Sequence, residues 1–142
     1  MNNINEGLTK ISDQTLMILD DDDVFRNRLI TAMKRKGFDA YGASSVKEAK
    51  LLLREKSPKY AVIDLRLNDG NGLEIVSILS GSRSDSKIVM LTGYGNIPTA
   101  VAAVKEGACD YLAKPADADD IEAALKLSLI HISSPRDSVG SR

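Results

Sequence analysis

The chain has no tryptophan, one cysteine and one histidine among its 142 residues, and only 4% of it is aromatic. A lone thiol, Cys109, has no internal partner for a disulfide, so a reducing compartment, the cytoplasm, is expected. With His131 as the single imidazole, there is little from which to build a Cys/His metal centre or a Ser-His-Asp triad. No apolar run is long enough to cross a bilayer, and the polar start MNNINEGLTKISDQ lacks the pattern of a signal peptide. An excess of one charge is missing too. The 19 basic and 20 acidic residues leave a net charge of -1, which offers no electrostatic footprint for nucleic acid or an anionic membrane. Any chemistry must therefore run on carboxylates, a lysine and hydroxyls.

What is present is an alternation. The length fits one compact domain, and short apolar runs take turns with amphipathic stretches, the pattern of a parallel sheet covered by helices on both faces. Leu16-Met17-Ile18-Leu19 reads as a buried strand, followed by a helix with Phe25, Leu29 and Met33 on one face that ends at Gly37. Phe38 to Gly42 is the second strand. Ser45-Val46-Lys47-Glu48 has capping-box spacing and opens a helix that ends before Pro58. Tyr60 to Ile63, Ile88 to Leu91 and Tyr111 to Ala113 supply three further strands. A third helix spans Gly72 to Leu79, and a fourth, with Ile97, Val101 and Val104 along one face, closes at Gly107. The last helix starts near Asp117. Five βα units of this size predict an α/β, flavodoxin-like (βα)5 three-layer sandwich with parallel sheet order 2-1-3-4-5 and right-handed crossovers.

Polar residues stand at particular points of that scheme. Asp20 and Asp21 end the first strand, Asp64 the third and Thr92 the fourth, and Lys114 follows the fifth. Ligand sites of open parallel sheets lie at the carboxyl ends of the strands, so these scattered groups are expected to converge on one edge. Three carboxylates brought together repel, and one would keep its proton unless a cation intervened. Oxygen ligands of this kind suit Mg²⁺, with Mn²⁺ as a substitute. A carboxylate nucleophile, a metal platform, a lysine cation and a threonine hydroxyl are the parts that phosphoryl transfer onto a protein requires. Asp22 and Asp23 read instead as helix-capping and dipole residues, as do Asp117, Asp119 and Asp120. Cys109 reads as a small buried apolar residue, and Pro115 makes a cis bond after Lys114 accessible.

With LMILDDDD, YAVIDLRLNDGNGL, IVMLTGYGN and DYLAKPADADD in this order and spacing, the chain resembles the receiver domains of bacterial two-component response regulators. The likeness covers roughly Thr15 to Lys126, and its detail is closest to the RegA/ActR/PrrA branch of redox-responsive regulators, which carry a C-terminal helix-turn-helix. The resemblance implies that Asp64 is the phosphoacceptor for a sensor histidine kinase. It implies that Asp20, Asp21, Asp64 and the backbone carbonyl of Arg66 hold the metal, and that Lys114 binds the phosphoryl group. Thr92 and Tyr111 would be the switch pair. The output surface would be the fourth helix, fifth strand and fifth helix, through which a homodimer is possible. Asn68 departs from the proline common four residues after the acceptor.

Residues 1–14 read as a polar extension and 15–127 as the receiver domain. The stretch 128–142 reads as an unstructured tail: Leu127 to Ser133 looks like the translation of a sequencing adapter, which sets His131 aside. No output domain is expected within this chain, and hence no direct nucleic-acid binding by it and no membrane contact. Two other readings compete. Asp20 to Val24 also fits the DxDxV signature of haloacid-dehalogenase phosphatases, with Asp20 as nucleophile and Asp22 as acid/base. That reading leaves Asp64 unexplained. A receiver-like interaction module independent of phosphorylation is the third, and the complete acidic, threonine and lysine set argues against it.

Overall fold

The computed structural model describes residues 13–93, 97–108 and 110–133. Five parallel strands, β1 (Thr15–Leu19), β2 (Asp39–Ala43), β3 (Tyr60–Asp64), β4 (Lys87–Thr92) and β5 (Asp110–Ala113), form one sheet. Their order is 2-1-3-4-5, as the alternation of elements predicts. Helices α1 (Asp23–Arg35), α2 (Val46–Glu55), α3 (Leu73–Ser82), α4 (Ile97–Glu106) and α5 (Ala118–Ser133) connect or follow the strands. A small hairpin, Arg66–Leu67 against Gly70–Asn71, lies between β3 and α3.

Two cores follow from the two-residue period of a strand. Met17 and Leu19 point with Ala61, Ile63, Ile88 and Met90 toward the side packed by α2 and α3. Leu16 and Ile18 point with Val62, Val89 and Leu91 toward α1 and α5, where Leu29, Met33, Ile121 and Leu125 meet them. Both faces are covered, which is why β1, β3 and β4 are continuous apolar runs without alternation. Ile121 and Leu125 are fully buried, each contributing about 2 kcal/mol of burial that docks α5.

Helix boundaries carry their own chemistry. Asp22 caps α1 by accepting from the Phe25 amide at 3.0 Å, and Ser45 caps α2 by accepting from the Glu48 amide at 3.0 Å. The expected capping box is displaced by one residue, because Glu48 reaches back to the amide and hydroxyl of Ser44. Gly37 stands at φ +100 after α1, the left-handed conformation that favours glycine there.

Val101 and Val104, read as lying along one helical face, stand at 41% and 38% exposure, so that face of α4 is turned outward. Two differences from the sequence reading stand out. The backbone of α5 stays helical to Ser133, past position 127 where an unstructured tail is expected, and no proline or glycine interrupts its sequence before Pro135. Asp13, assigned to the polar extension, is tied in: it accepts from Arg83 at 2.6 Å, which holds its carboxyl down at about 2. The expectations for Cys109 and for the Ile97 side chain fall outside the described residues. No described helix is long and apolar enough to cross a membrane.

Candidate functional site

The carboxyl ends of β1, β3, β4 and the residue after β5 meet at one edge of the sheet. β1 and β3 are direct neighbours, with Leu19 beside Ile63, so the next residues, Asp20 and Asp64, come together. Asp20, Asp21 and Asp64 each offer an oxygen within 4.8 Å of the others. Lys114 is delivered from the far side of β4, its own amide held by the Thr92 carbonyl at 2.8 Å. Its ammonium donates to Asp20 Oδ2 at 3.1 Å and Asp64 Oδ2 at 3.2 Å, and it lies 5.4 Å from the Phe25 ring centroid. The peptide bond from Lys114 to Pro115 is cis.

Burial sharpens the electrostatics. Asp20 is fully buried and Asp64 is 7% exposed, so one lysine faces two dehydrated carboxylates with a third nearby. Burial, reinforced by the charge of Asp20, pushes the Asp64 carboxyl up to about 6, although Lys114 opposes the shift. For Lys114, burial disfavours the charge, yet Asp64 and Asp20 outweigh it and hold its pKa above the ordinary lysine value. A dense, under-neutralised set of oxygen donors fits a hard divalent cation, which would balance the surplus negative charge.

The three carboxylates, on two loops, are fastened individually. Asp20 Oδ1 accepts from the Asp22 amide at 2.9 Å, and Asp64 Oδ1 from the Arg66 amide at 3.3 Å. Asp21 Oδ2 accepts from the Asn68 amide at 2.9 Å, which joins the β1 loop to the hairpin after β3. Gly72 closes that hairpin by donating to the Leu65 carbonyl at 2.8 Å. A side chain at Gly72 would collide with the Asp64 carbonyl oxygen and with Ile63, so only glycine permits this approach. Arg26, which the sequence alone did not single out, donates to the Asp20 carbonyl at 2.8 Å and pairs with Asp23 at 2.8 Å. Its signal was faint: a basic residue one turn into a helix whose first residue is the last of four consecutive acids.

The remaining sequence-predicted groups occupy the same edge or its flank. Thr92 is 1% exposed, and its hydroxyl donates to the Gly93 carbonyl at 3.2 Å. Tyr111 is partly buried on the neighbouring strand, beside Met90, and packs against the α2/α3-side core. Arg66 is exposed. Asp22 is engaged in its cap and is absent from the carboxylate cluster, which removes it from the acid/base role that the phosphatase alternative required.

A five-stranded parallel sheet with an acidic cluster and a lysine at its carboxyl edge is the architecture of a receiver-type signalling module. The chain belongs to the response regulator receiver domain family, whose model matches residues 16–126. Within that family it falls in the RegA/ActR branch. It is 55% identical over 114 residues to the photosynthetic apparatus regulatory protein RegA of Rhodobacter capsulatus, covering 80% of this chain and 62% of that protein. It is 56% identical over 113 residues to the acid tolerance regulatory protein ActR of Rhizobium meliloti, covering 80% and 58%. The chain thus spans less than two-thirds of the length of these relatives. Among solved structures, it resembles a response regulator protein from Burkholderia pseudomallei with a phosphorylated aspartic acid, calcium ion and citrate. That match has a TM-score of 0.77 and 35% identity and covers 85% of this chain and 72% of that one. The fold is shared with a CheY-like receiver domain protein from Methanospirillum hungatei, at a TM-score of 0.76, covering 83% of this chain and 94% of that one.

Proposed function

We propose that this domain accepts a phosphoryl group on Asp64 from a sensor histidine kinase, in a reaction that requires Mg²⁺, with Mn²⁺ as a substitute. The observation that carries the reading is the cluster of Asp20, Asp21 and Asp64 within 4.8 Å, with the Lys114 ammonium bridging two of its members. The side chains of Asp20, Asp21 and Asp64 and the backbone carbonyl of Arg66 hold the cation. When bound, it neutralises charge on the carboxylates and on the entering phosphoryl oxygens.

Asp64 is the nucleophile. A carboxylate oxygen forms the new bond to phosphorus while the bond to the donor's nitrogen or oxygen breaks and the leaving group takes a proton. The product is an acyl phosphate. Lys114 binds a phosphoryl oxygen that replaces the Asp64 oxygen it now contacts. The domain also speeds hydrolysis of that group, in which water attacks phosphorus, the bond to the Asp64 oxygen breaks, and inorganic phosphate and the free carboxylate are formed. Beyond this self-directed chemistry it is no enzyme.

The Thr92 hydroxyl, now donating to its neighbour's carbonyl, turns to the phosphoryl group, and Tyr111 moves into the space beside β5. The surface of α4, β5 and α5 then changes, and the exposed Val101 and Val104 support its use as a homodimer contact. In the parent regulator this surface controls a DNA-binding output, and the receiver unit works in the cytoplasm through protein contacts. The receiver unit is residues 15–127, and 128–142 adds nothing to its function.

The direct check is intact mass after incubation with acetyl phosphate and Mg²⁺. A labile gain of one phosphoryl group is expected, prevented by chelation and abolished in Asp64→Ala. Equal labelling of that variant rejects the assignment. A domain that never labels favours the phosphorylation-independent interaction module.

A further inference from the structure

The tip of the hairpin after β3 is held by two adjacent anchors, and only one of them belongs to the acidic cluster. At Asn68 the backbone amide is bound by Asp21 Oδ2 at 2.9 Å. One residue later the Asp69 side chain leaves the site and crosses to a different element. Its Oδ1 accepts from the Val46 amide at 2.9 Å and its Oδ2 from the Lys47 amide at 3.1 Å, the first two amides of α2. These are donors with no partner inside the helix, at the positive end of its dipole. The two hydrogen bonds, Val46 first, also hold the Asp69 carboxyl below the ordinary carboxylate range, although Asp69 lies on the surface. Gly70, at φ +156, turns the chain back immediately afterwards, with Val46 against the place a side chain would occupy.

Residues 65–69 are therefore stretched between β3 and the start of α2, and this stretch carries the Asn68 amide that orients Asp21. We propose that Asp69 is a positioning residue for the divalent-cation site. By clamping the start of α2 it fixes the hairpin, and through it the Arg66 carbonyl and the Asp21 carboxylate, without touching the ion. The inference rests on the reading of Asp20, Asp21, Asp64 and the Arg66 carbonyl as the cation ligands. Ser45 supplies the contrast: its hydroxyl caps the same helix at the Glu48 amide, whereas Asp69 reaches that helix from the hairpin.

The test is a Mg²⁺ titration followed by amide chemical shifts in the wild type, Asp69→Ala, Asp69→Asn, Ser45→Ala and Asp21→Ala. In the wild type, Mg²⁺ should shift the Asn68 amide and also those of Val46 and Lys47. Asp69→Ala should bind Mg²⁺ about tenfold more weakly, the lower end of what losing an outer support of a metal site costs. Its Val46 and Lys47 amides should cease to respond. Asp69→Asn, which retains one acceptor oxygen, should lie between, and Ser45→Ala should bind as the wild type does. Wild-type affinity in Asp69→Ala overturns the proposal. Equal weakening in Asp69→Ala and Ser45→Ala overturns it too, since helix capping alone would then be the cause. If Asp21→Ala binds as tightly as wild type, the ligand reading fails, and this inference with it.

Discussion

At the scale of single residues, four neighbouring acids are put to four different uses. Asp20 is buried against Lys114, Asp21 is held by a backbone amide, Asp22 caps a helix and Asp23 pairs with Arg26. Thermal stabilisation by Mg²⁺ should therefore separate them. Asp21→Ala should lose most of the shift, whereas Asp22→Ala should keep it while melting lower by roughly 1 kcal/mol from the lost cap. Equal losses of the Mg²⁺ shift would erase the distinction between ligand and cap. Asp64 makes a second prediction. A carboxyl whose folded pKa is raised to about 6 favours the native state at low pH, and that contribution disappears as pH rises through about 6. In chelator, Asp64→Asn should thus be more stable than wild type above pH 6, by at most about 3 kcal/mol, with the advantage gone below pH 4. Denaturant titrations across that range check it, and a gain independent of pH would show that burial of the charge is not the cause. Asp20, Asp64, Thr92 and Lys114 were legible because each polar residue ends or follows an apolar run, where strand topology dictates a meeting point. Arg26 and Asp69 were not, since the contacts that tie them to the site are to backbone, and backbone partners leave no mark on residue identity.

At the scale of elements, the strands were readable because both sheet faces are covered and apolar runs result. β2, with Tyr41 and Gly42 only partly buried at the sheet edge, carries the weakest pattern, and its observed range is shifted one residue from the expected one. α4 was readable as a helix but not as to its outward stripe, because three- and four-residue spacing reports a shared face and not which side the sheet lies on. Coupling between elements is where the switch is tested. β4 brings Thr92 to the site and pairs Met90 with Tyr111 of β5, so a movement of Thr92 has a short path to α4 and β5. If Asp64 is phosphorylated, one charge-assisted hydrogen bond and the Lys114 contact would together supply on the order of 2–4 kcal/mol, enough to repopulate a minor state. Thr92→Ala should still accept the phosphoryl group, yet show much smaller chemical-shift changes from Ile97 to Tyr111. A full response in that variant would remove Thr92 from the signalling route.

For the whole molecule, the question is which part of the chain suffices. The last described buried side chain is Leu125, and α5 continues as helix to Ser133. Removing residues after Ser128 should leave the melting transition and the phosphoryl gain unchanged; a cooperative loss of structure would place the final segment inside the folding unit. The central claim is narrower: phosphoryl chemistry takes place on Asp64, at the end of β3, and on no other member of the acidic cluster. Borohydride reduces an aspartyl phosphate to homoserine, so reduction of the phosphorylated domain followed by peptide mapping reads the position directly. Homoserine at position 64, and only after treatment with Mg²⁺ and acetyl phosphate, is the predicted result; homoserine at position 20 would contradict the account and return the site to the phosphatase alternative.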